Sequence, residues 1–131
     1  MSTGTLIIEG RNIHGIASFY DEINRVFMAD EDWKLGPSLD AFDDLLYGGY
    51  GALKGDAPVI LIWRQMEMSR EHLGLAATRT HYLTKLDDPE RFNIERIRSD
   101  LDTLEREGGP TYFDIVQEII ASHRNIDLRP A

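Results

Sequence analysis

Val59-Ile60-Leu61-Ile62-Trp63 is the stretch that decides the fold. A strand with one wet face alternates apolar and polar residues, and these five do not alternate. A run that is apolar on both faces belongs in the middle of a parallel sheet with helices covering it. Gly48, Gly49, Gly51 and Gly55 make the segment before it a loop. Further out, Thr5-Leu6-Ile7-Ile8-Glu9, closed by Gly10, reads as a second buried strand, and Ile126 to Leu128 as a short third.

Helical patterns fill the intervals. Phe19, Ile23, Val26 and Phe27 share one face of a helix whose start is set at Ser18, with Asp21 completing a capping-box spacing. Ser38 is a good N-cap for a short second helix up to Tyr47. A helical pattern from about Ser69 to Leu86 weakens at Gly74, and Asp87-Asp88-Pro89 breaks it. Asn93 caps the next helix. Phe92 and Ile97 stand at hydrophobic-staple spacing, Ile94, Ile97, Leu101 and Leu104 form its stripe, and Gly108-Gly109-Pro110 ends it. Packing of this helix onto its own sheet is expected. Thr111 and Asp114 open a last helix that buries Phe113, Val116, Ile119 and Ile120. Strands separated by helices pair in parallel through helical crossovers, so the class is α/β.

At 131 residues the chain has the length of one domain. A fold of this size hides roughly two-thirds of the surface its unfolded chain would expose, enough for a core without staples. Hydrophobic residues at 42% and charged residues at 28% fit a globular domain and not a disordered one. No cysteine is present, which excludes disulfides, thiolate metal sites and cysteine nucleophiles. The longest apolar stretch, Ala57 to Trp63, is too short to span a membrane. The opening residues have neither a basic head nor an apolar signal core, so a cytoplasmic location is expected.

The net charge is −9, and its distribution is uneven. Residues 30–44 hold Asp30, Glu31, Asp32, Asp40, Asp43 and Asp44 against Lys34 alone, which is −5 of the total. Such a patch repels nucleic acid and attracts cationic surfaces. The blander alternative is a solvated face that serves solubility. Catalytic signatures fail: the glycines near Lys54 fit neither a phosphate loop nor a dinucleotide fingerprint, and no serine elbow occurs. Asp30-x-Asp32 opens like a calcium loop, but Lys34 and Leu35 stand where a ligand and the turn glycine belong. His72 and His81 fall on opposite faces of one helix, and all four histidines are expected at the surface or its boundary. No metal or cofactor is implied.

On the helix after Ser38, Asp40, Asp43, Asp44 and Tyr47 share one face, opposite Leu39, Phe42, Leu45 and Leu46. Carboxylates three and four residues apart repel, and only Asp40 is close enough to the helix N-terminus to gain from it. Stability alone does not account for that face.

Gly36-Pro37-Ser38-Leu39-Asp40-Ala41-Phe42-Asp43-Asp44-Leu45-Leu46 resembles the helix of the barstar family, with its pattern Gly-x-Asn-Leu-Asp-Ala-Leu-x-Asp-x-Leu. Trp63-Arg64-Gln65-Met66-Glu67-Met68-Ser69 is similar to the family's Trp-Arg-Gln-x-Glu-x-Ser, and Ile8-Glu9-Gly10-Arg11-Asn12-Ile13 to its opening. The likeness covers about residues 5–85 and 111–128. It implies a barstar-like α/β fold, a three-stranded parallel sheet packed with helices, plus one inserted helix, as a single domain over residues 1–131 with an insertion at about 86–110. It also implies an intracellular inhibitor, monomeric when free, whose acidic helix (residues 38–47) occludes the active site of a small basic ribonuclease.

Carried over by position, Asp40 and Asp44 match the family's two aspartates, Gly48 its glycine after the helix, and Glu118 its contributing glutamate. Lys34 stands where the family has a contacting tyrosine, with Trp33 just before it. Asp43 replaces one tryptophan and Gly49 another, with Tyr50 following as the compensating aromatic. Tyr47 completes the expected partner-binding set. The alternatives are a non-inhibitory or immunity-type interaction domain with a different cationic, toxin-like partner, and an enzyme using Asp40, Asp43 and Glu118 for acid–base chemistry. No nucleic acid or membrane partner is expected.

Overall fold

The computed structural model describes residues 4–131. Strands β1 (Gly4–Glu9), β2 (Val59–Arg64) and β3 (Ile126–Pro130) form one parallel sheet in the order β1-β2-β3. The apolar run is therefore the central strand. Ile8 lies beside Trp63, and Leu61 beside Leu128. Val59, Leu61 and Trp63 are buried, while Ile60 and Ile62 are half-buried on the other face. Six α-helices surround the sheet among the described residues: α1 (Ile16–Phe27), α2 (Leu39–Leu46), α3 (Met66–His72), α4 (Leu75–Leu86), α5 (Ile94–Glu107) and α6 (Tyr112–Ser122).

Helix starts follow their caps. In α6 the Thr111 hydroxyl accepts from the Asp114 amide, and the Asp114 carboxylate accepts from that of Thr111. The Asn93 side chain likewise accepts from the Arg96 amide at the start of α5. The first helix begins earlier than expected, with Gly15 as its N-cap. Ser18 sits inside the first turn, where its hydroxyl accepts from the amides of His14 and Gly15 and donates to the Gly15 carbonyl. The single helical pattern over 69–86 is in fact two helices. The chain turns at Gln65, whose φ is +48°, so α3 begins at Met66, and the extended backbone of Gly74 separates it from α4.

Two of the quoted sequence blocks meet in the core. The Trp63 indole N–H donates to the Ser69 hydroxyl at 2.9 Å, both side chains being fully buried. Gly10 lies directly against that turn. A Cβ there would stand 2.5 Å from the Gln65 carbonyl oxygen and 2.9 Å from Ser69 Oγ, closer than any side chain tolerates. Around Trp63, the Phe19 ring stacks at 6.2 Å and Phe113 meets it edge-on at 5.8 Å. Phe42 meets Phe19 at 5.5 Å, which ties α2 to the same aromatic centre. Large aromatics buried in this way dominate core energetics.

Glu22 locks α1 to the end of β1. Its buried carboxylate accepts from the Glu9 amide, the Asn12 side chain and the Arg25 guanidinium. Burial alone would favour the neutral acid, but Arg25, the Glu9 amide and Asn12 outweigh it and hold the carboxyl below its usual range. The Tyr20 and Tyr112 hydroxyls hydrogen-bond to each other inside the core, and burial pushes Tyr112 up to about 12.

Helix α5 does not pack onto the sheet as expected. It lies along α4, with Ile97 and Leu104 buried and an Arg79–Glu105 ion pair on the rim. The sheet is already covered where α1 packs on β1 and α6 on β3, so the apolar stripe of α5 finds its partner in the outer helix.

Candidate functional site

Helix α2 is fixed from beneath and open above. The Ser38 hydroxyl accepts from the Ala41 amide at 3.1 Å, closing the first turn. Phe42, Leu45 and Leu46 are fully buried, each adding on the order of 1.5–3 kcal/mol to the docking of the helix. Asp40, Asp44 and Tyr47 project into solvent. Among the described residues no cationic side chain pairs with Asp40, Asp44 or Glu118.

Asp43 differs from its neighbours. It is half-buried, and its Oδ1 accepts a 2.7 Å hydrogen bond from Nε2 of His123. His123 is buried at 7% exposure, which corrects the expectation of a surface or boundary histidine. The Tyr47 ring stands edge-on to the His123 ring, centres 4.7 Å apart. The expected face of three free carboxylates is therefore two free carboxylates and one engaged with α6. No local signal announces this contact, because the partners are 80 residues apart.

The expected site residues converge in three places. Between α2 and α6 a cleft of about 330 Å³ is lined by Asp40, Asp43 and Glu118 with Leu39, Ile115 and Ser122, so the structure brings Glu118 beside the acidic helix. Beyond α2, Gly48 turns the chain with a φ of +80°, its amide donating to the Leu45 carbonyl and its carbonyl accepting from Gly55. A Cβ there would lie 2.8 Å from the Gly55 Cα, so both conformation and space demand glycine. On the other flank the half-exposed Trp33 packs against Tyr50, ring centres 4.9 Å apart. Partial burial, then the nearby Asp44 charge, raises the Tyr50 hydroxyl above its ordinary range. Lys34 stands apart from the acidic helix, in a groove it shares with Trp33, Asp21 and Arg25 of α1.

Asn24 holds the acidic loop in place, and the sequence reading missed it. Its side chain accepts from the Leu35 amide at 2.7 Å and donates to the carbonyls of Leu35 and Tyr20. Asparagine three-quarters of the way along an amphipathic helix carries no sequence signal for this role. Among the described residues no three potential metal-ligating side chains cluster, and no helix is long and apolar enough to cross a membrane. The arrangement presents fixed, water-facing negative charge on a rigid helix, flanked by aromatic rings.

The sequence model of one family, described as Barstar (barnase inhibitor), matches residues 3–97. The matched span contains β1, α2, β2 and the Trp63–Ser69 turn, and it ends before α6 and Glu118. No curated protein matches the chain.

Proposed function

We propose, for a chain that belongs to the barstar family, that α2 plugs the cationic active site of a small basic ribonuclease and so inhibits it. The observation that carries this reading is the pairing of a fully anchored inner face with Asp40 and Asp44, exposed and, among the described residues, without an internal cationic partner. A ribonuclease must bind a polyanion, so its active site is cationic. Carboxylates on a rigid helix can occupy that site and offer no phosphodiester to cleave. Charge at the rim speeds encounter, while central, desolvated charge sets how long the complex lasts.

In this reading Asp40 and Asp44 are the central contacts. Asp43 contributes through its bond to His123, and Glu118 extends the acidic surface across the cleft. Gly48 lets the chain leave the helix without obstructing the partner. Trp33, Tyr47 and Tyr50 supply the aromatic contacts, and Lys34 marks the cationic edge of the footprint. The chain acts as a single domain and a monomer when free, with residues 86–110 as an insertion whose Arg91 and Phe92 share a groove with Asp40. Its place is the cytoplasm, where an inhibitor protects cellular RNA.

The replaced aromatics, Asp43 and Gly49 in place of tryptophans and Lys34 in place of a tyrosine, favour a second reading: the same face serves an immunity-type contact with a different cationic toxin. The test is to titrate the protein into a barnase-type ribonuclease and follow cleavage of a fluorescent RNA. Stoichiometric loss of activity is expected. An undiminished rate at excess protein would reject the ribonuclease reading and leave the second.

A further inference from the structure

We propose that His14 and His72 form a two-ligand site for one borderline divalent cation, Zn²⁺ or Cu²⁺, on the seam between the end of β1 and α3. The two ring centres are 5.5 Å apart. Two imidazoles on one tetrahedral zinc ion, with Zn–N bonds of about 2.0–2.1 Å, hold their ring centres about 5 Å apart. Little movement separates the pair from that spacing.

The hydrogen bonding of His72 prepares it as a ligand. Its Nδ1 lies 2.8 Å from the Ile13 carbonyl oxygen, which can only accept. Nδ1 therefore carries the proton, and Nε2 of the neutral ring keeps its lone pair. A backbone carbonyl on the far nitrogen is the arrangement that fixes tautomer and ring orientation in metal-binding histidines. His14 is exposed, so its ring is free to turn either nitrogen toward the ion.

The backbone beneath both rings is stiff. His14 follows the 3₁₀ turn Gly10–Asn12, which packs against α3, and Gly10 is wedged under the Gln65–Ser69 turn from which α3 starts. His72 ends α3, where the final carbonyls favour a cation. The two ligands leave further coordination positions to water. The inference stands independently of the ribonuclease reading, since neither histidine lines the clefts around α2.

The test is calorimetric titration of the full chain with ZnCl₂ and with CuSO₄ near pH 7.5. Amide NMR spectra are collected alongside with substoichiometric Cu²⁺. One ion per chain is expected, with paramagnetic broadening centred on residues 13–15 and 70–73. His14→Gln and His72→Gln should each weaken binding at least tenfold, and His81→Gln should not. Because His72→Gln also removes the bond to Ile13, the exposed His14→Gln variant decides the outcome if the other is poorly folded. No saturable uptake, unchanged affinity in His14→Gln, or broadening centred on the acidic residues 30–44 would overturn the proposal.

Discussion

Asp43 and Asp44 are chemically identical neighbours on one helix, and alanine at the two positions should move stability in opposite directions. Asp43→Ala removes the acceptor of the 2.7 Å bond from His123 and leaves a buried ring N–H without a partner. An orphaned buried donor costs about 1–3 kcal/mol. The Asp43 side chain is 39% exposed, so water can enter the vacated space and hold the loss near the lower half of that range. Alanine returns up to ~0.5 kcal/mol through helix propensity, and relief from Asp40 three residues earlier returns ~0.2–0.5 kcal/mol. The net expectation is a loss of about 1 kcal/mol.

Asp44→Ala keeps both gains and, among the described residues, loses no internal bond, so the free protein should be as stable as the parent or up to ~1 kcal/mol more stable. The two variants then differ by about 1–2 kcal/mol, or roughly 4–8 °C in melting temperature for a chain of this size. Urea unfolding with unchanged slopes measures the difference. Equal stabilities, or Asp44→Ala the weaker of the two, would show that the His123 contact does not hold α2 and that Asp44 has a structural role.

Ser69→Ala should cost about 1–3 kcal/mol in urea unfolding, because the fully buried Trp63 indole N–H loses its acceptor. Gly48→Ala should cost at least ~1 kcal/mol in the same assay, since its φ of +80° and the adjacent Gly55 backbone oppose a side chain. Glu22 holds its charge below the usual carboxylate range in the fold, so its contribution is present above about pH 4.5, its unfolded value, and is lost as pH falls through the lower folded value. Glu22→Gln should accordingly flatten the acid limb of a stability–pH curve in that window. Against a cationic partner, raising salt from about 50 to 500 mM should slow association far more than it speeds dissociation, by stopped-flow measurement.

The central strand was legible because five apolar residues in a row leave few other places to go. The acidic helix was legible because Ser38 caps it and Phe42, Leu45 and Leu46 recur on one face. Its glycine exit at Gly48 follows from short-range sequence, whereas the packing of Trp33 on Tyr50 does not. The start of α1 was misplaced because Ser18 reaches back to the amides of His14 and Gly15 from inside the first turn, whereas an N-cap serine accepts from amides ahead of it, and spacing alone does not separate the two. The site's second layer was not legible. Asp43 meets His123 across 80 residues, and Asn24 meets Leu35 across 11 through a turn of unpredictable path. Such pairings depend on tertiary placement, to which a helical repeat is blind. The docking of α5 failed for a related reason: its stripe reveals that it packs, not against what.

The most direct test of the central claim is competition on one ribonuclease. A barnase-type enzyme is titrated with the parent protein, with Asp44→Ala and with Asp40→Ala, in the presence and absence of a nucleotide that fills the enzyme's active site. The nucleotide and the parent protein should exclude each other, and Asp44→Ala should bind far more weakly while unfolding at the parent's urea concentration or above it. Simultaneous binding of nucleotide and protein, or an Asp44→Ala variant that binds as tightly as the parent, would contradict the claim.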